Sequence, residues 1–319
     1  MRHTSVCDLL DISYPILQGG MLWIATAELA AAVSNAGALG VISPLAGMEK
    51  QGVPAKNFKD QLSRVKRLTA RPFGVNIALD LDYADSLVEV ALGGKAKIVI
   101  TAAGNPDRFT GVLKNEGMTV LHVVSSVKQA RKAETSGVDG VIAEGIEAGA
   151  HNGSDELPLF ALIPQVVDVV SIPVIAAGGI AEVRGVVAAF ALGAEGVQLG
   201  TRFVAVDENP AHLNYKQAIV DARDTDTVIT TRSIVPTRSL KTKFTNTILE
   251  LERSGASAGD ISEFIGYRSN RTAQIEGDLN GGEAYCGASA GLIKEILPAG
   301  DVVRQLVEGY ENILNRLNK

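Results

Sequence analysis

Short apolar runs alternate with amphipathic segments through roughly the first two hundred residues of the chain. Each run holds about four to seven residues rich in Val, Ile and small side chains, which is typical of strands buried on both faces of a parallel sheet. The runs predict eight strands, at Ile16–Gly19, Gly40–Ser43, Phe73–Leu79, Lys97–Ala102, Thr119–Val124, Gly140–Gly145, Pro173–Gly179 and Gly196–Thr201. The spacing of apolar positions between them predicts helices at Ala27–Ala36, Asn57–Leu68, Tyr83–Leu92, Asp107–Glu116, Val127–Ser136, Leu159–Val170 and Glu182–Leu192.

The repeated strand–helix order is typical of an α/β protein and predicts a (β/α)₈ TIM barrel. A doubly wound parallel sheet shares this alternation and is the competing architecture. The count of eight strands favours the barrel. So do the turn signals that close two of the helices, which end at Gly37 and Gly137.

The alternation stops after the eighth strand, and the chain becomes charged and helical in pattern, with an amphipathic stretch at Phe244–Gly255. Such a segment is long for a loop, so it predicts a separate small subdomain. We therefore expect the barrel at residues 1–206 and a mainly helical substrate or lid subdomain at 207–276, inserted after the eighth strand. Residues 277–319 are expected to return to the barrel and to end in a helix at Asp301–Leu317.

Composition narrows the classes of partner. The net charge is -6, the aromatic share is 5%, and basic runs are missing from the sequence, which argues against nucleic acid and anionic membranes as partners. Two cysteines in a long chain form no disulfide framework, and Met1–Asp11 has no apolar core like that of a signal peptide. We therefore expect a cytoplasmic location.

Glycine is frequent, with 33 residues in 319, and several glycines follow directly after predicted strands. Gly20, the pair Gly178-Gly179 and Gly200 fall at the carboxyl ends of strands, where a barrel of this type binds its ligand and often a phosphate. Glycines let backbone N–H groups approach a phosphate closely. The alternative is that they only permit tight turns. Three such turns at one barrel mouth favour a phosphorylated planar cofactor.

Polar residues on otherwise apolar strands are the next candidates. Asn76 and Glu144 could bond the polar edges of such a cofactor, or they could belong to a hydrogen-bonded core network. The loop after Glu144 is rich in glycine and carries His151, whose imidazole can exchange a proton near neutral pH. His122 lies inside a predicted strand and is expected to be a core residue; His3 and His212 lie outside the barrel strands.

Other catalytic signatures are missing from the sequence. It contains no dinucleotide-binding Gly-x-Gly-x-x-Gly that opens a helix, no Walker motif, no His-Glu-x-x-His and no Gly-x-Ser-x-Gly. The isolated His and Cys residues give no metal-ligand spacing, so we predict no metal site.

Several segments, in this order, resemble the nitronate monooxygenase/enoyl-acyl-carrier-protein reductase II family of FMN-dependent barrel enzymes. The resemblance runs from about Leu9 to Ile293. It is carried by Gln18-Gly19-Gly20-Met21, Pro72-Phe73-Gly74-Val75-Asn76, Ala103-Gly104-Asn105-Pro106, Ala143–Gly153, Ala176–Ile180, Gly200-Thr201-Arg202-Phe203, Ala211-His212 with Tyr215-Lys216, and Gly277-Asp278.

The resemblance implies a cofactor site for FMN and an active-site histidine at His151. Its flavin contacts would be Gly20 and Met21 at the isoalloxazine, with Asn76 and Glu144 beside the flavin or its ribityl chain. Its phosphate contacts would be Gly178, Gly179, Gly200 and Thr201, with Gln198 nearby. The chain departs from the family at Ala150, where the loop usually reads Gly-Gly-His, and the added methyl restricts φ next to the histidine.

Two reactions compete within this family. In the reductase, NADH or NADPH reduces FMN, hydride passes to the double bond of an enoyl thioester, and His151 stabilises or protonates the enolate. In the monooxygenase, an alkyl nitronate is oxidised with O₂. The loop at Ala143–Gly153 and the Gly277-Asp278-Leu279-Asn280 segment favour the reductase. The resemblance further implies a small-molecule or acyl-carrier-protein-bound substrate and a homodimer.

Two hypotheses from other classes stay open at this point. A barrel with a phosphate site could be a flavin-free lyase or isomerase of a sugar phosphate, or a binding module without catalysis.

Overall fold

The computed structural model describes residues 1–49, 51–267 and 269–317. Its strands are β1 (Ile16–Gln18), β2 (Gly40–Ile42), β3 (Phe73–Ala78), β4 (Ile98–Ala102), β5 (Thr119–Val124), β6 (Gly140–Glu144), β7 (Ala150–His151), β8 (Val174–Ala177), β9 (Gly196–Leu199), β10 (Thr227–Thr230) and β11 (Thr237–Leu240).

The helices connect and cover these strands. They are α1 (Ser5–Leu10), α2 (Ala27–Asn35), α3 (Pro54–Leu68), α4 (Ala84–Gly93), α5 (Thr110–Asn115), α6 (Val127–Thr135), α7 (Leu159–Val167), α8 (Val183–Ala191), α9 (Thr201–Val204), α10 (Leu213–Val220), α11 (Lys243–Arg253), α12 (Ala258–Ile265), α13 (Ser269–Gln274) and α14 (Ala299–Leu317). Two 3₁₀ turns occur at Pro106–Arg108 and Ala288–Leu292.

Eight parallel strands form the barrel, in the order β1-β9-β8-β6-β5-β4-β3-β2. A parallel bridge between Leu17 and Leu39 joins the two ends of this order and closes the ring. The (β/α)₈ fold that the alternating pattern predicts is therefore confirmed. All carboxyl ends of the strands meet at one mouth, where the loops that follow them converge.

The barrel has two apolar layers. Leu17, Leu39, Ile100, Leu121 and Ile142 belong to the cluster inside the barrel, and alternate residues of the same strands pack outward against the helices. Helix α1, which the pattern did not predict, contributes Val6 and Leu10 to the inner cluster. The inner core is therefore a packed unit with no open channel at the α1 end.

The C-terminal helix completes the outer ring. Helix α14 packs against α8 on one side and α2 on the other, which is the position of the eighth barrel helix. Helix α2 lies very close to β2, because the Gly40 position leaves no space between the strand and the carbonyl of Ala30. This contact is one of the places where only glycine fits.

All eight predicted barrel strands are present, with ends that differ by one to two residues. Two predicted elements are wrong in detail. The strand predicted to reach Thr201 ends at Leu199, and Thr201 instead begins the short helix α9. The helix predicted at Asp107–Glu116 is divided into a 3₁₀ turn and α5, because Phe109 at φ -131° breaks the helical backbone between them.

The segment after residue 206 contains helices α10 to α13, but it also holds the antiparallel pair β10 and β11. The segment is therefore mainly helical and contains one short hairpin that the pattern did not predict. Strand β11 also pairs with β7 in the loop after β6, so the hairpin is stabilised by a partner far away in sequence. The domain boundaries at residues 206 and 276 stay a prediction.

None of the helices in the described ranges is both long and apolar enough to span a membrane.

The contact between Gly40 and α2 leads to a test of barrel packing. Gly40→Ala should lower the free energy of unfolding by about 1–3 kcal/mol, because the methyl must push the α2 backbone away. Gly111→Ala is the matched control: its methyl meets no atom within 4 Å, and alanine favours the helix that holds it. Urea unfolding of both variants is the measurement. Equal stability of the two would contradict the close packing of α2.

Candidate active site

A cavity opens at the carboxyl mouth of the barrel, and the space enclosed by its lining together with the solvent at its entrance is about 830 Å³. Its wall is built from the ends of β1, β6, β8 and β9 and from segments of the C-terminal half. The lining residues include Gly19, Gly20, Met21, Leu22, Ile24, Glu144, Glu147, Ala148, Gly149, Ala150, Gly178, Gly179, Gln198, Gly200, Thr201, Tyr215, Gln274, Tyr285, Gly287 and Ser289.

The turns after β8 and β9 form a glycine-lined part of the wall. Gly178 and Gly179 have φ of +93° and +71°, a backbone conformation that favours glycine. A Cβ at Gly178 would lie 2.8 Å from the carbonyl oxygen of Gly145, whereas a Cβ at Gly200 would meet no atom within 4 Å. Within the described ranges, the backbone N–H groups of Gly179 and Gly200 have no protein acceptor. These donors fit an anionic group such as a phosphate.

The other predicted cofactor residues surround the same cavity. Gln198 and Thr201 line it from β9 and α9, and the Thr201 hydroxyl accepts a hydrogen bond from the N–H of Gly287 at 2.9 Å. Met21 lines it from the loop after β1. Asn76 lies directly behind Gly20, since a Cβ on Gly20 would come within 2.5 Å of the Asn76 side chain.

Glu144 places a carboxyl group in the cavity wall at the end of β6. Burial disfavours the charged form and raises the pKa of Glu144 to about 7. Near neutral pH the side chain is therefore present as both acid and carboxylate. It can donate a hydrogen bond in one form and accept one in the other.

Glu147 shapes the loop that follows. Its carboxylate accepts hydrogen bonds from the N–H of Leu159, with distances of 2.9 and 3.0 Å to the two oxygens. The guanidinium of Arg238 donates to the carbonyl oxygen of Ile146 at 3.0 Å and lies near Glu147. An ion pair between Arg232 and Glu156 ties the far end of the loop to the turn between β10 and β11. The loop is therefore held by side chains of the inserted segment.

His151 lies at the rim of this cavity, on β7. It pairs with Thr237 of β11, and its ring contacts the ring of Tyr285, a lining residue, with centroids 5.9 Å apart. The residue keeps access to solvent, yet the side chains around the imidazole displace enough water to lower the pKa of His151. The carboxylate of Asp80 partly opposes this effect.

Ala150 adopts φ of +69°, in the left-handed region that favours glycine. The restriction expected from its methyl group is therefore real, and the chain accepts a strained alanine beside His151. Pairing of Ala150 with Arg238 of β11 holds this conformation.

The remaining histidines lie elsewhere. His122 is buried on β5 with its Nδ1 2.7 Å from the hydroxyl of Thr101, and burial lowers its pKa to about 4. It is a core residue, as the pattern predicted. His212 caps α10 through the N–H of Asn214, and His3 pairs with Asp8 on the surface.

The structure thus brings all the sequence-predicted site residues to one mouth of the barrel, with Asn76 behind the wall and His151 at its rim. Sequence analysis did not place Tyr215, Gln274, Tyr285 and Ser289 in the site, although they also line the cavity. Tyr215 carries part of the family resemblance, whereas the other three lie in segments without a motif of their own, and only the fold returns them to the barrel mouth. In the described ranges, no His, Cys, Asp and Glu side chains are grouped as a metal site would need.

The raised pKa of Glu144 predicts a pH dependence of stability. The folded carboxyl has a pKa of about 7 against 4.5 for an exposed one, so folding stability falls as the pH rises between these values. Glu144→Gln cannot ionise and escapes this loss. In flavin-free protein, its melting temperature should exceed that of the native chain by more at pH 8 than at pH 5.

Calorimetry at the two pH values is the measurement. Glu116→Gln, at an exposed carboxylate, is the control for the removal of a charge. A Glu144→Gln difference that does not change with pH would contradict the burial of this carboxyl.

Comparisons with known proteins identify relatives of this chain. FabK from Thermotoga maritima is 44% identical in sequence, with a TM-score of 0.93, and the match covers 100% of this chain and 99% of that chain. A probable nitronate monooxygenase from Staphylococcus haemolyticus is 34% identical over 76% of this chain and 79% of the relative. A dehydrogenase of an octahydro-indene-4-carboxyl-CoA from Rhodococcus jostii is 32% identical over 82% of this chain and 71% of the relative.

The family model for nitronate monooxygenase matches residues 3–309, almost the whole chain. This match decides against the flavin-free lyase or isomerase and against a binding module without catalysis. The chain belongs to the nitronate monooxygenase family and is an FMN-dependent oxidoreductase.

Proposed function

We propose that this protein is an NAD(P)H-dependent reductase of enoyl thioesters, of the enoyl-acyl-carrier-protein reductase II type. The observation that carries the proposal is the similarity to FabK, which extends over the whole chain at 44% identity. The Rhodococcus relative, whose name gives a carboxyl-CoA substrate, adds a second protein that acts on a thioester.

The charge of the cavity wall supports a neutral substrate. Among the described residues, its lining includes the carboxyl groups of Glu144 and Glu147 but no Lys or Arg. An alkyl nitronate is an anion and would meet carboxylates there without a cationic partner, which is unfavourable in a partly buried site. An enoyl thioester is uncharged at its reacting end and avoids this cost.

We assign the glycine-lined wall to FMN. The free N–H groups of Gly179 and Gly200 and the space beside Gly200 fit its phosphate, with Gly178 and Thr201 beside them. Gly20, Met21, Asn76, Glu144 and Gln198 would hold the remainder of the cofactor. Bound flavin supplies the chemistry of hydride acceptance and donation.

His151 is assigned the proton chemistry. Addition of a hydride to the β-carbon of an enoyl thioester places negative charge on the carbonyl oxygen, and a proton must then reach the α-carbon. A mostly neutral imidazole, as the lowered pKa of His151 implies near pH 7, can stabilise the developing enolate by donating its N–H. Below its pKa the imidazolium can donate a full proton.

The inserted segment is assigned to the substrate. Tyr215 and Gln274 reach the cavity from residues 207–276, so this segment covers part of the mouth and is placed to act as the proposed substrate or lid subdomain. The substrate is proposed to be a small thioester or an acyl-carrier-protein-bound chain, NADH or NADPH the electron donor, and the protein a homodimer.

Gly200→Ala tests the phosphate site. The added methyl meets no protein atom within 4 Å, so folding should be unaffected, but the group would intrude on space assigned to the phosphate. We expect FMN affinity to fall by about 10-fold or more, since lost contacts of about 1.4 kcal/mol have this effect. Quenching of flavin fluorescence on titration of the apoprotein is the measurement. Gly111→Ala is the control, and equal affinities of the two variants would contradict the assignment.

The substrate is tested by two paired assays. NADH and NADPH oxidation is followed anaerobically with crotonyl thioester, and oxygen uptake is followed aerobically with propyl-2-nitronate. We expect rapid thioester-dependent oxidation and little nitronate turnover. The reverse pattern would make the protein a nitronate monooxygenase.

His151→Ala is added to both assays. The variant should retain bound FMN, and its kcat on the thioester should fall by about 10²–10⁴-fold, which is the usual contribution of a positioned acid or base. Full turnover with bound flavin would remove the role assigned to His151.

A further inference from the structure

Strand β11 arranges two aromatic side chains on one face of the small sheet. His151 is paired with Thr237, and Tyr285 forms an antiparallel bridge with Ser239, two residues further along the same strand. Residues two apart on a strand point to the same side, and so do residues directly opposite in an antiparallel pair. Both rings therefore leave the sheet on one face, where they meet edge to face at an interplanar angle of 61°.

Tyr285 is fixed at both ends. Its hydroxyl donates a hydrogen bond to Glu283 at 3.3 Å and lies near the side chain of Asn270, whose oxygen accepts a hydrogen bond from the indole N–H of Trp23 at 3.0 Å. Its backbone oxygen accepts a hydrogen bond from the hydroxyl of Tyr215. Glu283 is only 5% exposed, so the anchor of the ring lies inside the protein. The ring therefore has little freedom to move.

The position of Tyr285 indicates the role of its fixed ring. Its ring forms part of the cavity wall, whereas His151 stands at the rim on a two-residue strand and follows the strained Ala150. A short strand at a loop tip does not fix a side chain by itself. The ring of Tyr285 supplies the packing that the strand lacks.

We propose that Tyr285 is a positioning residue whose ring holds the imidazole of His151 at the cavity rim. The importance of this for turnover rests on the proposed function, in which His151 acts on the substrate. The contact between the rings, by contrast, can be measured without any substrate.

The edge contact is made by the ring, and the hydroxyl only anchors it. Tyr285→Phe retains the ring and should leave kcat within about 3-fold of the native value. Tyr285→Leu removes the ring, and we expect kcat to fall by about 10-fold or more, since small displacements of a reacting group are costly. KM and flavin content should change little. Tyr310→Leu is the matched control, because it removes an edge contact with Phe190 at 5.6 Å on the outer helices.

A proton NMR titration of the histidine ring signals provides the readout that does not depend on the reaction. The chain has only four histidines, and the signal missing from His151→Ala identifies His151. Tyr285 and Asp80 are the titratable groups that face this imidazole from the segments around it. Loss of the ring exposes the imidazole to water, so the pKa of His151 should rise towards 6.5 in Tyr285→Leu and stay in place in Tyr285→Phe and Tyr310→Leu.

The two measurements separate the possible failures. If the native holoenzyme reduces no thioester, the proposed function is wrong, and the titration alone then tests the positioning contact. Should Tyr285→Leu fail to fold, Tyr285→Phe still tests the proposal. A shifted pKa of His151 or a tenfold fall in kcat in Tyr285→Phe would contradict the view that the ring is sufficient. An unchanged kcat and titration in a folded Tyr285→Leu would overturn the proposal.

Discussion

Closure of the eight-stranded ring is the constraint on which the other features of this protein depend. The hydrogen bonds of β1 with β9 and the bridge between Leu17 and Leu39 force all eight strands to end around one mouth. Residues separated by more than a hundred positions in sequence, such as Gly20 and Gly200, thereby face one cavity. The inner apolar cluster leaves the carboxyl end as the place where polar groups can collect.

The electrostatics of that mouth are set by backbone groups more than by charged side chains. In the part of the chain that the structure describes, the lining residues carry two carboxyl groups and no cation, so N–H groups and hydroxyls are the groups there that can bind an anionic part of a ligand. Burial makes one of these carboxyl groups, Glu144, a group that titrates near neutral pH. The same burial lowers the pKa of His151 at the rim, which leaves the imidazole mostly neutral. The site thus combines a carboxyl group whose pKa is raised with an imidazole whose pKa is lowered.

The inserted segment and the loop after β6 stabilise each other. Strand β7 has only two residues and pairs with β11 of the insert, and the ion pair of Arg232 with Glu156 joins the same two regions. The strain of Ala150 at φ +69° is stabilised by this pairing. The histidine loop and the insert therefore form one unit. The residues that join the two segments are more than 75 positions apart in sequence.

The sequence by itself determined the barrel, since eight buried β-branched runs alternate with amphipathic segments, and it determined the glycine turns and His151 because their chemistry is local. It did not determine the β10–β11 hairpin, because Thr227–Thr230, although β-branched throughout, is only four residues long, and the hairpin gains a distant partner in β7. Nor did it mark Tyr285, which lies in no motif. Only the tertiary structure decided that Tyr285 contacts His151. The contact arises because two distant segments pair with neighbouring positions of β11. Pairing over such long sequence separations leaves no periodic signal in the chain.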